Sequence, residues 1–545
     1  MVGRRFTPDL IAAAASIAGD VPAMLDALVE KDLVQRLPAH DTVEYSFKHA
    51  LTEEGLYRSL LSPQRSTLHL RVAEELERRN DNRLAEVAES LAHHFTQTDR
   101  PEKSFKYLAL AGAKSLGIYS LDQAEAHFEA AIGVLERAPD CASDEAAAIL
   151  LVDYVHLLSL KHKLRELVAV IDRHMPRLDR LGHDAKSVVI LHHYTFALVW
   201  LARFAEAQAA QAKADTGADK VGDDRSLAYA LAGHILVRTV ITPVSSEKMD
   251  KLGAAAAAAA ARTGDRYIKS WISFVRAWDQ LHRGRLDRAQ GFAHELMAVG
   301  REENDPRPTG LALWLLARLA LVSEDYNAAL AYADECLRVA LTPFDKGTGT
   351  QLKAMSLVLL RRVKEGTALL ESFRRDCAAN GWQYHLYGSD GVWGISLVLR
   401  GHIARGVRWI EKSIAERDAA GPRIVADFNR AVLCQLYLEM LHGGRRPPLA
   451  VLLRNLPFLL VAKAAAPRRI ERMMKVTAQN SQFDPEGFYH ARINLILGLL
   501  YKVTRQRERA VRHLTHARGI ARRYGGTLLA RIDATLADLG VAEAR

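Results

Sequence analysis

Histidine pairs are the residues in this 545-residue sequence whose type and spacing come closest to metal chemistry. The pairs are His93 and His94, His192 and His193, and His513 with His516. Adjacent residues on a helix point to different faces, so neither of the first two pairs is expected to chelate one ion without distortion. The third pair shares a helical face but has no acidic or thiol partner nearby. We therefore predict no metal site and no cofactor, and expect His93 and His94 to pack or cap within the first helix pairs.

Catalytic motifs are absent from the sequence. No serine lies in a GxSxG elbow, and no cysteine and histidine form a local catalytic signature. The stretch Gly347–Thr350 lacks the lysine and the spacing of a GxxxxGK[ST] phosphate loop, and no cyclase-type pair of metal-binding aspartates is present. The carboxylate pairs Glu74–Glu75 and Glu302–Glu303 fall on polar helical faces or loops, where solvation explains them. The sequence predicts a non-catalytic chain without catalytic residues.

Basic residues are concentrated at the C-terminal end. From Leu441 to Arg545 the chain has 19 Lys and Arg against 7 Asp and Glu, whereas the whole chain has a formal charge of +10. The candidate basic patch consists of Arg505, Arg507, Arg509, Arg512, Arg518, Arg522 and Arg523. Clustered cations suit nucleic-acid phosphates, but neither a recognition helix nor interleaved aromatic residues accompany them. A solvated end cap or a surface for an acidic protein partner is the alternative.

Composition indicates a folded, all-α chain. Alanine and leucine dominate, and they lose little conformational freedom in helices, while clusters of β-branched residues are scarce. The four cysteines, which have no CxxC spacing, are typical of reduced thiols in a cytoplasmic protein. The most apolar stretch, Leu449 to Ala466, is interrupted by Arg454, Pro457 and Lys463. It therefore predicts a buried helix rather than a membrane span, and we expect no membrane partner.

The segment from Met1 to Leu61 predicts a small module of two helices and a hairpin. A helix begins at Thr7-Pro8-Asp9 and runs to about Ala18, and a second covers Val21 to Lys31. Alternating residues on either side of the polar turn 38–42 predict the hairpin. Helix, helix, hairpin is the order of a winged-helix module. The segment 62–101 predicts a connecting pair of amphipathic helices.

The remainder predicts helical repeats of tetratricopeptide type, in which a small residue marks the packing face of each second helix. The markers are Ala124, Leu167, Ala207, Ala289, Ala329, Ala368, Gly406 and Ala510, with degenerate repeats expected near Met249 and Leu449. The period is about forty residues, longer than the usual ~34. We predict repeats over 102–440 and basic helical repeats over 441–545. The fold class is an all-α, tetratricopeptide-like solenoid with an N-terminal winged-helix module.

A solenoid of this kind presents its first helices on a concave surface. The repeat register places Trp271, Trp278, Trp314, Arg318, Arg492 and Lys502 on that side. Tryptophan and arginine are enriched at interface hot spots, so these residues are the candidate partner-binding face. The alternative is that the tryptophans fill core volume.

The N-terminal hundred residues resemble a known arrangement. Six segments occur in the order found just after the nucleotide-binding domain of STAND-type bacterial signalling ATPases. They are Gly3–Phe6, Leu28–Val34, Tyr45–Leu51, Leu56–Leu61, Arg65–Leu76 and Leu91–Phe95. These proteins are related to class III adenylate/guanylate cyclases and to large transcriptional regulators. The resemblance covers roughly the segment 1–139. It implies an ATPase core, a winged helix that acts as a regulatory joint, and a tetratricopeptide-like sensor array, of which this chain carries only the last two.

Three functional hypotheses follow. The first is a non-catalytic sensor that binds a protein partner or small effector and relays its occupancy to an ATPase or cyclase domain in trans. The second is a cyclase-related ATPase whose catalytic domains lie outside this sequence, as in a truncated gene product. The third is a transcriptional regulator that binds nucleic acid through the winged helix and the basic end.

Overall fold

The structure is a computed structural model that describes residues 5–15, 19–37, 43–420, 423–442 and 448–541. The predicted hairpin turn 38–42 and the predicted end of the first helix near Ala18 lie outside the described residues. The chain divides into two compact units. The N-terminal unit comprises Met1–Leu157 and Arg177–Leu181, and the C-terminal unit comprises Leu158–Pro176 and Gly182–Arg545.

A small antiparallel sheet lies at the start of the N-terminal unit. Its strands are β1 (Arg5–Phe6), β2 (Val34–Leu37) and β3 (Glu44–Phe47), in the order β1-β3-β2. The predicted hairpin is confirmed by the pairing of β2 with β3, and β1 is a third strand that the sequence analysis did not predict. Tyr45 of β3 is fully buried, and its ring centroid lies 6.4 Å from that of Phe6 in β1.

Helices account for nearly all other described residues, in agreement with the predicted all-α solenoid. They begin with α1 (Pro8–Ala15), α2 (Val21–Glu30), α3 (Ala50–Ser59), α4 (Ser62–Arg79), α5 (Ala88–Phe95), α6 (Pro101–Gly117), α7 (Leu121–Arg137) and α8 (Asp144–Lys161). They continue with α9 (Leu164–Leu181), α10 (Ala185–Trp200), α11 (Phe204–Val221), α12 (Asp224–Val240), α13 (Ser246–Thr263), α14 (Arg266–Arg283), α15 (Leu286–Glu302), α16 (Pro306–Val322) and α17 (Tyr326–Val339). The last are α18 (Pro343–Leu359), α19 (Val363–Asn380), α20 (Gln383–Leu399), α21 (Ile403–Ala420), α22 (Arg423–His442), α23 (Leu449–Ala478), α24 (Phe488–Val503), α25 (Arg507–Ala521) and α26 (Gly526–Asp538).

The helices repeat in pairs at the predicted period. The second helices from α9 to α21 begin at residues 164, 204, 246, 286, 326, 363 and 403, so successive starts are 37 to 42 residues apart. The predicted marker residues occupy the fourth position of these helices and are buried, including Met249 of the degenerate repeat. One marker is wrong. Ala368 is exposed, and the buried fourth position of α19 is Gly366, where a Cβ would meet the Val358 backbone nitrogen at 2.7 Å.

A left-handed residue ends the first helix of most pairs. These residues are Tyr119, His162, Ala202, Gly284, Glu324, Arg361, Gly401 and Arg505, all with φ between +55° and +87°. The left-handed turn lets a following N–H reach a carbonyl of the last helical turn. The Arg203 N–H, for example, donates to the Leu198 carbonyl oxygen at 2.8 Å. The turn therefore reverses the chain at the same point of each repeat.

The even-numbered helices of the C-terminal unit form a continuous inner layer. Each packs against the next even-numbered helix from α10 to α26, and α10 also contacts α20, ten helices later. Helix α10 is accordingly apolar on all sides and buried from Ser187 to Trp200, as expected of a helix surrounded by protein. Trp382 closes the contact between distant repeats, because its indole Nε1 donates to the His162 carbonyl oxygen at 3.1 Å.

The apolar helix α23 differs from the expectation of a buried helix. Leu449, Leu453, Leu456, Leu460 and Val461 are each at least 45% exposed. We predicted a buried helix because this segment is apolar, but a helix is buried only where another element packs against it. In the first half of α23 only a narrow stripe, which includes Asn455 and Ala462, is packed against other residues. By length and composition alone α23 could span a bilayer, and no other helix in the described part of the chain could.

Candidate binding chamber in the C-terminal unit

The predicted concave-face tryptophans lie in the interior of the C-terminal unit. Trp271 and Trp278 belong to α14 and Trp314 to α16, and all three are at most 6% exposed. The ring centroids of Trp278 and Trp314 are 4.9 Å apart, and Phe274 packs against both Trp271 and Trp314. The indoles therefore fill core volume, which was the alternative in the sequence analysis. Partner binding by the predicted face stays a prediction.

Arg318 extends from this aromatic cluster. Its guanidinium carbon lies 5.5 Å from the ring centroid of Trp278 and 5.4 Å from that of Trp314. Both distances are within the range of cation–π contacts. Among the described residues no carboxylate forms an ion pair with Arg318 and no hydrogen bond reaches its guanidinium. Burial lowers the pKa of Arg318 from its usual value. Guanidinium groups nevertheless stay protonated in proteins. The aromatic faces stabilise the charge only in part.

A chamber of about 350 Å³ lies beside Arg318. Its walls come from the inner layer, including α14, α16, α18, α20 and α22, with single residues from α24 and α26. Most of the lining is apolar, and includes Leu281, Leu321, Met355, Val392, Phe428 and Leu436. Because known small-molecule sites are concave, mostly apolar and about 300–1,000 Å³ in volume, the chamber has the size and lining of such a site.

Two ion-paired groups line other parts of the chamber. Glu324, a left-handed turn residue, accepts a hydrogen bond from Arg531 at 2.5 Å and lies 3.6 Å from Arg492. Arg361, the turn residue of the next repeat, lies 3.9 Å from Glu439. The side chains of Arg361 and Glu439 are 62% and 51% exposed, so this pair marks the side on which the chamber meets solvent.

The chamber carries a net positive charge. Four arginines line it, against Glu324 and Glu439. Burial lowers the pKa of His282, another lining residue, to about 3, so its imidazole is neutral. His282 Nδ1 donates to the Trp278 carbonyl oxygen at 2.7 Å, which fixes the ring. An anion with an apolar body therefore matches both the charge and the walls.

The sequence indicated only some of the charged residues that line the chamber. Arg318 and Arg492, which the sequence placed on the candidate partner-binding face, line the chamber, whereas Lys502 lies elsewhere and pairs with Asp538 at 2.7 Å. Glu324, Arg361 and Arg531 were missed. Glu324 and Arg361 share one sequence signal, since both follow the last residues of a first helix at the repeat spacing. Arg531 has no such signal.

The predicted basic patch is partly used within the fold. Arg523 pairs with Asp287 at 2.5 Å, Arg507 donates to the Leu539 carbonyl oxygen at 2.7 Å, and Arg509 lies over the Tyr501 ring. Among the described residues, no ion pair involves Arg505, Arg512, Arg518 or Arg522. The patch is thus a mixture of structural and solvated cations.

Other residues singled out in the sequence have structural roles. His192 Nδ1 lies 3.0 Å from the Tyr229 carbonyl oxygen, and His513 Nδ1 lies 2.8 Å from Asn494 Oδ1. Gly347–Thr350 lies inside α18, where a phosphate loop cannot form. Glu75 is bound by Arg78 and Arg79, whose hydrogen bonds lower its pKa to about 2.

The fold and chamber define a helical repeat protein with an interior of ligand size. No family model matches the chain, and a search of the curated proteins finds no match. Among solved structures, the chain is similar to a Signal Transduction ATPase with Numerous Domains (STAND) protein with a tetratricopeptide repeat sensor from Pyrococcus horikoshii, with a TM-score of 0.43 and 12% identity. The similarity covers 76% of this chain and 61% of that one, so the chain spans less than two thirds of that neighbour's length.

Proposed function

We propose that this chain is a sensor module whose C-terminal unit binds a small anionic effector in the chamber. The observation that carries the proposal is Arg318, a guanidinium that faces the chamber without a carboxylate partner among the described residues. A partly buried charge without a counter-charge loses part of its hydration, and a bound anion would compensate this loss. The planar guanidinium suits a carboxylate or phosphate in particular, because it can donate two parallel hydrogen bonds.

The remaining chamber residues indicate the size and polarity of the rest of the ligand. The walls are mainly aliphatic, and the volume of about 350 Å³ admits an acyl chain or a small ring system. Glu439 pairs with Arg361, and Glu324 is shared by Arg531 and Arg492, so Arg318 is the one of the four lining arginines without a carboxylate partner among the described residues and the group that selects an anion. We therefore favour an amphipathic organic anion over a strongly hydrated inorganic ion.

Ligand binding would affect several repeats at once, because the lining residues come from helices far apart along the chain. A ligand in the chamber would contact helices from α14 to α26 and would stabilise the arrangement in which these distant repeats are close. Binding shifts a conformational equilibrium only when the ligand prefers one state. The N-terminal module, which resembles the regulatory winged helix of signalling ATPases, would pass this change to an ATPase or cyclase domain in trans.

Binding of an apolar, anionic fluorescent probe tests the proposal. We expect 1-anilinonaphthalene-8-sulfonate to bind the full chain at one saturable site and Arg318→Met to weaken its affinity by about tenfold or more, since a hydrogen bond to a charged group contributes about 1.5–3 kcal/mol. Arg262→Met, which alters an exposed arginine paired with Asp224, is the matched control and should bind as the wild type does.

Competition with the probe distinguishes charge from hydrophobicity. Octanoate should displace it at much lower concentration than octanol, and this difference should disappear in Arg318→Met. Equal affinities of the Arg318 and Arg262 variants for the probe, or equal competition by octanoate and octanol in the wild type, would contradict an anion site at Arg318.

A further inference from the structure

Three histidines of the N-terminal unit meet between two helices. His69 belongs to α4, and His93 and His94 belong to α5. The ring centroids are 5.1 Å apart for His69 and His94, 5.2 Å for His93 and His94, and 5.8 Å for His69 and His93. Each ring offers a nitrogen within 4.8 Å of the nitrogens of the other two.

These separations match those of three imidazoles around one metal ion. A Zn–N bond of about 2.0–2.1 Å places the centre of an imidazole ring about 3.2 Å from the ion, and tetrahedral angles then separate ring centres by about 5.2 Å. His69 Nδ1 and His94 Nδ1 are 2.8 Å apart. Two nitrogens on a tetrahedral ion are about 3.4 Å apart, so the two rings need to separate by only about 0.6 Å to admit the ion.

We predicted no metal site at His93 and His94 because adjacent residues of a single helix point to different faces. A histidine from another helix changes this prediction. His69 on the neighbouring helix α4 lies within 5.8 Å of both rings, measured between ring centroids. A ligand from a second helix therefore completes a set that α5 alone cannot form.

The surroundings favour oriented imidazoles. His69 and His94 are 1% and 4% exposed, so packing within the N-terminal unit holds both rings in place. The Tyr57 hydroxyl lies 3.1 Å from His69 Nε2. Metal-bound histidines commonly have such a partner on the second ring nitrogen, which fixes the ring orientation.

We propose that His69, His93 and His94 bind one divalent transition-metal ion, with Zn²⁺ as the ion that three imidazoles favour. Borderline ions prefer imidazole, and three protein ligands leave a fourth position for water. His93 is exposed, so an ion can reach the cluster from solvent. Binding would fasten α4 to α5 within the N-terminal unit and is independent of the chamber in the C-terminal unit.

Metal titration of the full chain tests the site. After removal of metal with EDTA, Zn²⁺ should bind at about one ion per chain by isothermal titration calorimetry, and Co²⁺ should give the visible absorption bands of a tetrahedral site. His93→Gln removes the exposed ligand without altering the buried pair, so it should fold normally by circular dichroism. We expect this variant to lose at least about tenfold in Zn²⁺ affinity and to lose the Co²⁺ bands.

A matched control separates this site from adventitious binding. His516→Gln removes an exposed histidine of the C-terminal unit and should keep both the affinity and the Co²⁺ spectrum. Stoichiometric binding that is unchanged in His93→Gln, or no stoichiometric binding by the wild type, would overturn the proposal.

Discussion

Basic side chains of the inner layer differ in protonation. The Arg318 guanidinium lies against two indoles, whereas burial keeps the imidazoles of His282 and His385 unprotonated at neutral pH. His385 stacks on Trp200 with ring centroids 4.5 Å apart, and its Nε2 has no hydrogen-bond partner among the described residues. Burial, with a smaller contribution from the positive charge of Arg318, lowers the pKa of His385 to about 3. A second cation in this region would be costly.

Because burial keeps His385 unprotonated in the folded protein, we expect the C-terminal unit to lose stability in acid. The folded pKa of His385 is about 3 and its ordinary value is 6.5, so between these pH values the unfolded chain binds a proton that the folded chain does not. The free energy of unfolding should therefore fall as the pH falls from 6.5 towards 3, by up to about 1.4 kcal/mol per pH unit for each such histidine. His385→Phe, which keeps an aromatic ring beside Trp200, should remove that share of the slope.

Urea unfolding followed by tryptophan fluorescence measures this slope, because all seven tryptophans belong to the C-terminal unit. The exposed His516→Gln serves as the control and should keep the wild-type slope. A slope that does not change in His385→Phe would show that His385 is protonated equally in both states.

At the scale of helices, small residues set how closely the pairs pack. Helices α20 and α21 cross at Gly394 and Gly406, where a Cβ on Gly406 would lie 2.5 Å from the Gly394 carbonyl oxygen. A Cβ on Gly394 would lie 2.3 Å from Ile410. The sequence predicted Gly406 as the small residue on the packing face of this second helix. Close packing at the crossing explains why glycine is tolerated inside two helices despite its low helix propensity.

Replacement of Gly394 by alanine tests whether packing outweighs propensity. Alanine gains about 1 kcal/mol over glycine in a helix interior, but overpacking a crossing costs about 1–3 kcal/mol, and here backbone also obstructs the new methyl group. We expect Gly394→Ala to lower the free energy of unfolding by about 1–2 kcal/mol. Gly291→Ala, at an exposed helical position with no neighbour within 4 Å, should instead raise it by up to about 1 kcal/mol. Urea denaturation of both variants is the measurement, and a stabilised Gly394→Ala would contradict the close crossing.

The C-terminal unit as a whole is held by contacts between distant repeats. In an open solenoid each repeat contacts only its neighbours. Here the Tyr489 hydroxyl of α24 donates to the Leu281 carbonyl oxygen at the end of α14 at 2.7 Å. The Phe488 N–H likewise donates to the Gly284 oxygen at 2.8 Å, and Gln482 Nε2 reaches the Thr239 oxygen at 2.8 Å. Stability of early and late repeats should therefore be coupled.

Tyr489→Phe tests this coupling, because it removes one hydroxyl that links α24 to α14. The Leu281 carbonyl oxygen keeps the Gly284 N–H as a donor at 3.1 Å, so the variant loses one hydrogen bond, which contributes about 0.5–1.5 kcal/mol. We therefore expect amide hydrogen exchange to accelerate about threefold or more in both α24 and α14. Tyr501→Phe on the same helix α24 removes a hydroxyl that bonds the nearby Glu471, and its effect should stay within α23 to α25. Acceleration confined to α24 in Tyr489→Phe would mean that the distant contact contributes no stability.

The sequence by itself determined the helical repeat, its period and the N-terminal hairpin. These features depend on local periodicity and on one small residue per repeat, such as Ala289 or Gly406, whose side-chain size is the same in any context. The sequence-based prediction was wrong where two small residues lie close together. It gave Ala368 as the marker of α19, whereas the buried residue at the fourth position is Gly366. The exposed α23 shows that an apolar helix is buried only where another element packs against it.

Only the tertiary structure decided which residues meet across the repeats. Arg318, Glu324 and Arg531 lie together although the last two are 207 positions apart, because α26 returns to the inner layer. His69 joins His93 and His94 because the neighbouring helices α4 and α5 pack against each other. Periodicity places a residue on a helical face, but contact between distant faces depends on the accumulated curvature of many repeats. That curvature is a sum of small packing angles, which no local pattern in the sequence specifies.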